Sequence, residues 1–136
     1  IRKRLHVFAA LPTLKYLAMG GRIGKVAAGM ADAFNVKPIL TAREGKLDLL
    51  EKVRTQKKAE KRLVELMLES LQGKPIEKLA MLHVNNLTGA QALLSFLSST
   101  ATIPDDVIFA EFTPGLSVHA GSGVIGFVLL EKEIAL

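Results

Sequence analysis

Three short stretches gather residue types that could hold an anion. The first is Gly20-Gly21-Arg22-Ile23-Gly24, three glycines around one arginine just ahead of an apolar repeat at helical spacing. The start of a helix offers unpaired N–H groups and a partial positive charge, so it attracts anions. A guanidinium at Arg22 would add a bidentate contact to a carboxylate or phosphate. The same residues fit an ordinary helix–helix turn with a solvated arginine. They match neither a P-loop nor a dinucleotide fingerprint, whose spacings are absent.

The second stretch is Val118-His119-Ala120-Gly121-Ser122-Gly123. Gly121 and Gly123 would let the backbone approach a ligand closely, and His119 could hydrogen-bond a carboxylate in either protonation state. A structural histidine at a strand end is the plainer alternative. Ser122 is not framed as a nucleophile, because it lacks the G-x-S-x-G elbow. The third candidate is Arg54, which closes Glu51-Lys52-Val53-Arg54 at the end of an apolar run and points either at a ligand or at water. His6 and His83 stand alone in apolar runs and read as structural. With no cysteine and three histidines, none at ligand spacing, no metal site and no cofactor are expected. Lys57-Lys58 and Lys61-Arg62 form the polar face of a helix, either solvated or docked on an acidic partner.

Periodicity supplies the elements that must position these residues. His6 to Leu11 reads as a strand. Pro12 suits the first turn of a short helix that shares Leu14, Leu17 and Ala18 on one face and stops at Gly20-Gly21. A second helix is expected from Gly24 to Phe34. Val36 to Ala42 and Leu47 to Val53 read as a hairpin turning at Glu44-Gly45. Thr55 is a candidate N-cap for a helix ended by Gly73 and Pro75. Leu79 to Val84 reads as a strand, and Thr88 with Gln91 as a capping box opening a helix through Leu97. Val107 to Phe112 and Val124 to Leu130 read as further strands around a glycine-rich stretch, Leu116 to Gly126. The alternation predicts one α/β layered domain, a mixed β-sheet flanked by helices.

The composition sets outer limits. With 136 residues, 49% of them hydrophobic and 23% charged, the chain can bury a core of its own. The absence of cysteine makes a reducing cytoplasm the expected compartment. No stable membrane insertion is expected: Ile23 to Leu40 is interrupted by Lys25, Asp32, Asn35 and Lys37 and falls short of the ~20 apolar residues of a span. Ile1 stands where a methionine would open a chain, so a longer parent is expected. The net charge of +5 favours anionic partners. An interaction domain or a nucleic-acid-binding domain is therefore one alternative function, although no tryptophan and one tyrosine leave little to stack on bases. An enzyme using His119 as acid or base is another. It lacks a visible second titratable group.

In order along the chain, Pro12-x-Leu14-x-Tyr16-Leu17, Gly20-Gly21-Arg22-Ile23, Val36-Lys37-Pro38-Ile39-Leu40, Gly45 and Lys52-x-Arg54 resemble the DegV family, bacterial fatty-acid-binding proteins. His119-x-Gly121-x-Gly123 is similar to the family's His-x-Gly-Pro-Gly signature, with Ser122 in place of the proline. That exchange loosens the loop but keeps the histidine and both glycines. The resemblance implies that residues 1–136 are the C-terminal domain of a two-domain protein whose N-terminal domain holds the fatty-acid carboxylate through serine and threonine. It implies that His119 reaches that carboxylate, beside Gly121 and Gly123. Arg22 and Arg54 would line the same mouth or engage a partner, and the first two helices would line part of the acyl tunnel. The implied ligand is a long-chain fatty acid, presented to a fatty acid kinase that makes acyl phosphate. The protein itself would perform no chemistry and would bind no nucleic acid. Alone, the domain is expected to expose an apolar patch and to cover it by forming a homodimer.

Overall fold

The apolar periods become six strands and two helices in the computed structural model, which describes residues 4–12, 36–43, 46–111 and 123–133. In chain order these are β1 (Leu5–Ala10), β2 (Lys37–Arg43), β3 (Lys46–Val53), α1 (Gln56–Leu71), β4 (Ile76–His83), α2 (Leu87–Ser98), β5 (Ile108–Glu111) and β6 (Ile125–Glu131). The two helices expected between Pro12 and Phe34, the Glu44-Gly45 turn and most of the glycine-rich stretch lie outside the described residues.

The strands form one mixed sheet in the order β3-β2-β1-β6-β4-β5. Only β4 and β5 run parallel, joined through α2; the other neighbours are antiparallel. The β2–β3 hairpin brings Arg43 opposite Lys46, as expected. The last strand, β6, sits between β1 and β4.

Successive residues of a strand face opposite sides, and the two sides of this sheet are covered differently. On one side Phe8, Ala10, Ile39, Leu79, Met81, Ile125, Phe127 and Leu129 pack with Ala59, Leu63, Leu66, Met67 and Leu71 of α1 and Ala90, Leu93 and Leu97 of α2. Phe8 and Phe127 face each other across β1 and β6 with ring centroids 5.7 Å apart. Burying each such large side chain contributes about 1.5–3 kcal/mol. On the other side a smaller cluster joins Ala9, Leu11, Val36, Leu40, Val84 and Val124.

The helix boundaries follow from capping. The Thr55 side chain accepts the Lys58 N–H at 3.1 Å, opening α1 as expected. Gln72 and Gly73, both at positive φ (51° and 83°), close it ahead of Pro75. α2 opens differently from expectation. Its N-cap is Asn86, whose side chain accepts from the Gly89 N–H, so the Thr88–Gln91 capping box does not form. Arg62 fastens α1 to β3: its Nε lies 2.7 Å from Glu51, and its Nη1 lies 2.9 Å from Glu69 and 3.3 Å from Glu65. Those hydrogen bonds, Glu51 first and Glu69 second, hold the guanidinium above its ordinary pKa.

At the end of the sheet where β6 finishes, the buried carboxylate of Glu131 lies 3.4 Å from His6 Nε2 and 3.4 Å from Lys74 Nζ. Lys74 is within ion-pair distance but not aligned to donate a hydrogen bond to Glu131 Oε2. His6 belongs to this buttress, a structural role in keeping with its isolation in an apolar strand.

Candidate functional site

The opposite end of the sheet carries Gly123, Arg54 and the described residues that flank the other candidates. There β1, β3, β4 and β5 finish and β2 and β6 begin, because Ala10 and His83 both face Ile125, Lys37 faces Val53, and His83 faces Glu111. The chain leaves this edge after Pro12 and returns at Val36. It leaves again after Glu111 and returns at Gly123. Arg22, His119 and Gly121 themselves lie outside the described residues. The described residues that bracket them share one edge, and Arg54, directly after β3, stands at the same edge.

Gly123 occupies that edge with φ +101°, a backbone conformation that favours glycine. A β-carbon there would come 3.5 Å from Pro12 Cγ, so the return point of one segment lies close to the exit point of the other. Arg54 is exposed. Its strand is three strand spacings from β6, about 14 Å along the edge at the usual ~4.8 Å per strand. The sheet therefore sets Gly123 beside Pro12 and holds the Arg54 backbone well to one side.

Several polar groups anchor the edge. Lys37 Nζ donates to the Pro12 carbonyl at 3.0 Å. The Gly123 amide donates to the Val84 carbonyl at 2.8 Å, and the Val84 amide to the Val124 carbonyl at 3.1 Å. Asn86 Nδ2 donates to the Gly123 carbonyl at 3.2 Å. Asn85, at φ +49°, donates its N–H to Glu111 Oε2 at 2.9 Å. The buried His83 accepts the Asn86 N–H at Nδ1, 3.1 Å away, and is thereby tied to the turn. Reading Thr88 as the cap hid Asn85 and Asn86. The available signal was an asparagine directly before an apolar helical run, since asparagine ranks at the top of N-cap preferences.

Away from this edge, the side of the sheet without α1 and α2 stays partly open. A row of apolar residues, Val7, Val128, Ala80 and Ile108, crosses four strands in register. The first three are half-buried and Ile108 is 64% exposed. Leu5, next to Leu130 in the adjoining row, is also exposed. Among the described residues no group of three or more His, Asp or Glu side chains is gathered as metal ligands would be, and no helix is long and apolar enough to cross a membrane.

Sequence and fold both have known counterparts. Residues 1–132 match a family described as uncharacterised proteins of the DegV family. A DegV domain-containing protein of Halalkalibacterium halodurans is 33% identical over 126 residues, which is 93% of this chain and 44% of that protein. The crystal structure of a fatty acid binding DegV family protein from Streptococcus agalactiae matches with a TM-score of 0.80 and 30% identity, over 96% of this chain and 46% of that one. A DegV family protein from Eubacterium eligens loaded with heptadecanoic acid matches with a TM-score of 0.79 and 27% identity, over 96% and 46%. The chain thus spans about half the length of the curated relatives it matches. Motif order, the mixed six-stranded sheet and these likenesses agree, and the chain belongs to the DegV family.

Proposed function

We propose that this chain is the C-terminal half of a two-domain fatty-acid-binding protein and supplies part of the carboxylate site. The observation that carries the reading is the likeness, over nearly the whole chain, to the Streptococcus agalactiae protein described as fatty acid binding. The edge geometry supports it. A fatty-acid carboxylate is an anion at neutral pH, and taking it out of water is costly unless charged or N–H donors replace the solvent. Arg22 and His119 belong to segments that each have a described end, Pro12 and Gly123, and these two ends lie close together. In this reading His119, Gly121, Gly123 and Arg22 hold the carboxylate, and Arg54, farther along the edge, serves a fatty acid kinase that receives the bound acid for acyl-phosphate formation. The protein binds and presents its ligand and performs no chemistry of its own.

The other half of the site belongs to an N-terminal domain. Two features support that division: the chain spans about half of its relatives, and the apolar row through Val7, Val128, Ala80 and Ile108 is incompletely covered. An acyl slot needs walls that exclude water, so the domain alone binds fatty acid weakly and pairs with a second copy through its open apolar surface.

The decisive measurement is mass spectrometry of lipid extracted from the full-length protein, paired with oleate titration of the 136-residue chain. A long-chain fatty acid in stoichiometric amount in the first and weak binding in the second are expected. An empty full-length protein would overturn the reading. Binding of a fluorescent oligonucleotide that weakens steeply with salt would favour a nucleic-acid domain instead.

A further inference from the structure

One dipeptide holds both ends of the stretch that carries His119. Glu111, the last described residue before it, accepts the Asn85 N–H. Gly123, the first described residue after it, has its carbonyl bonded to Asn86 Nδ2, while its amide bonds to Val84. Asn85 lies in the left-handed region at φ +49°, which asparagine tolerates better than most residues. That turn sends the Asn85 N–H toward β5 and the Asn86 side chain toward the start of β6.

The chemistry of Asn86 exceeds what a cap requires. Capping uses only the acceptor Oδ1, which takes the Gly89 N–H at 3.1 Å. Serine, threonine or aspartate would serve that purpose as well. The amide NH2 is surplus to the helix, and the bond it makes here goes to Gly123. The two partners also settle which way the amide faces, since Gly89 demands an oxygen and Gly123 a donor. Gly89 leaves the room: a β-carbon there would lie 2.7 Å from Asn86 Cγ and drive the side chain away. Below the turn, the buried His83 fixes the Asn86 backbone.

We propose that the Asn85-Asn86 turn is a positioning element for Gly123, with Asn86 setting it in place for a bound fatty-acid carboxylate. The proposal rests on the fatty-acid reading above. Asn86 itself need not touch the ligand. It removes conformational freedom from Gly123 before binding, so less ordering is left for the ligand to bring about.

Asn86→Asp in the full-length protein separates positioning from capping. Aspartate caps as well as asparagine but presents an oxygen, not a donor, to the Gly123 carbonyl. The expected result is a folded protein with a modestly lowered thermal midpoint, faster exchange of the Gly123 amide, and oleate affinity about tenfold weaker, the scale of one lost hydrogen bond. Asn86→Ser, an uncharged cap too short to reach Gly123, makes the same comparison if the aspartate variant fails to fold. Parental Gly123 exchange, or parental affinity, in a folded variant would overturn the proposal. If the unsubstituted protein takes up no oleate, the fatty-acid reading fails, and Gly123 exchange alone decides the clamp.

Discussion

Gly126 lies hard against the backbone of Phe8, where β1 and β6 run side by side. A β-carbon on Gly126 would come 2.7 Å from Ala9 Cα and 2.8 Å from Ala9 Cβ, and it would also overlap the Phe8 carbonyl oxygen. Those atoms belong to a paired strand and cannot swing aside as the end of a long side chain could.

Gly126→Ala should therefore cost about 1–3 kcal/mol, the usual penalty of overpacking a filled interior. Urea denaturation would show it as a lower midpoint with an unchanged slope. Parental stability would mean that β1 and β6 separate more easily than their continuous pairing implies.

Gln72 closes α1 at φ +51°, a conformation that burdens any residue with a β-carbon. Its N–H still bonds to the Leu68 carbonyl, so the closure does not depend on the side chain. Gln72→Gly should raise stability by about 0.5–1 kcal/mol, measured as a higher thermal midpoint.

The Arg62–Glu51 pair joins α1 to β3, but both side chains are about 30% exposed, so solvent screens the attraction (27% and 30%). A double-mutant cycle with Arg62→Ala and Glu51→Ala should give a coupling of about 0.5–1 kcal/mol that shrinks in high salt. A coupling above that range would mean that the pair is stiffened by Glu65 and Glu69 on the same guanidinium.

Asp106 sits at the protein surface with its carboxylate 3.0 Å from Lys78 Nζ. That hydrogen bond, then one from its own backbone N–H, lowers its pKa below the ordinary aspartate value. A depressed carboxyl adds stability above its unfolded pKa, and that contribution disappears as pH falls through the folded value. Titration of the Asp106 carboxyl by NMR should show a midpoint below the ordinary aspartate value that rises in Lys78→Met. A midpoint insensitive to Lys78 would assign the depression to the backbone contact alone.

The proposed division of roles at the edge predicts unequal effects of two substitutions in the full-length protein. His119→Ala should weaken fatty-acid retention by about 1–3 kcal/mol, the cost of an unpaired buried polar group. Arg54→Ala should leave fatty-acid binding near parental and reduce turnover of the bound acid by a fatty acid kinase. Equal losses of binding in both variants would contradict the separation of Arg54 from Gly123 along the edge.

Local pattern was enough for most of the elements. The segments around Val7, Ile39, Leu49, Leu82, Ile108 and Phe127 all lie in strands, because half-buried strands impose a two-residue period that is visible without knowing the partner. Thr55 and Gly73 mark α1 for the same reason: caps act over three or four residues. The start of α2 shows the limit of that range. Thr88 satisfies a local rule, yet Asn86 takes the cap, and its side chain also reaches Gly123, 37 residues away. Strand order is equally non-local. The insertion of β6 between β1 and β4 depends on Phe127 packing opposite Phe8 and on Gly126 admitting the neighbouring backbone. The residue types suited to an anion were legible as Arg22, Arg54, His119 and the glycines beside them. That the described ends of their segments share one sheet edge, with Gly123 against Pro12 and Arg54 three strands away, was decided by pairing across the whole chain, where free energy is gained only once distant segments meet.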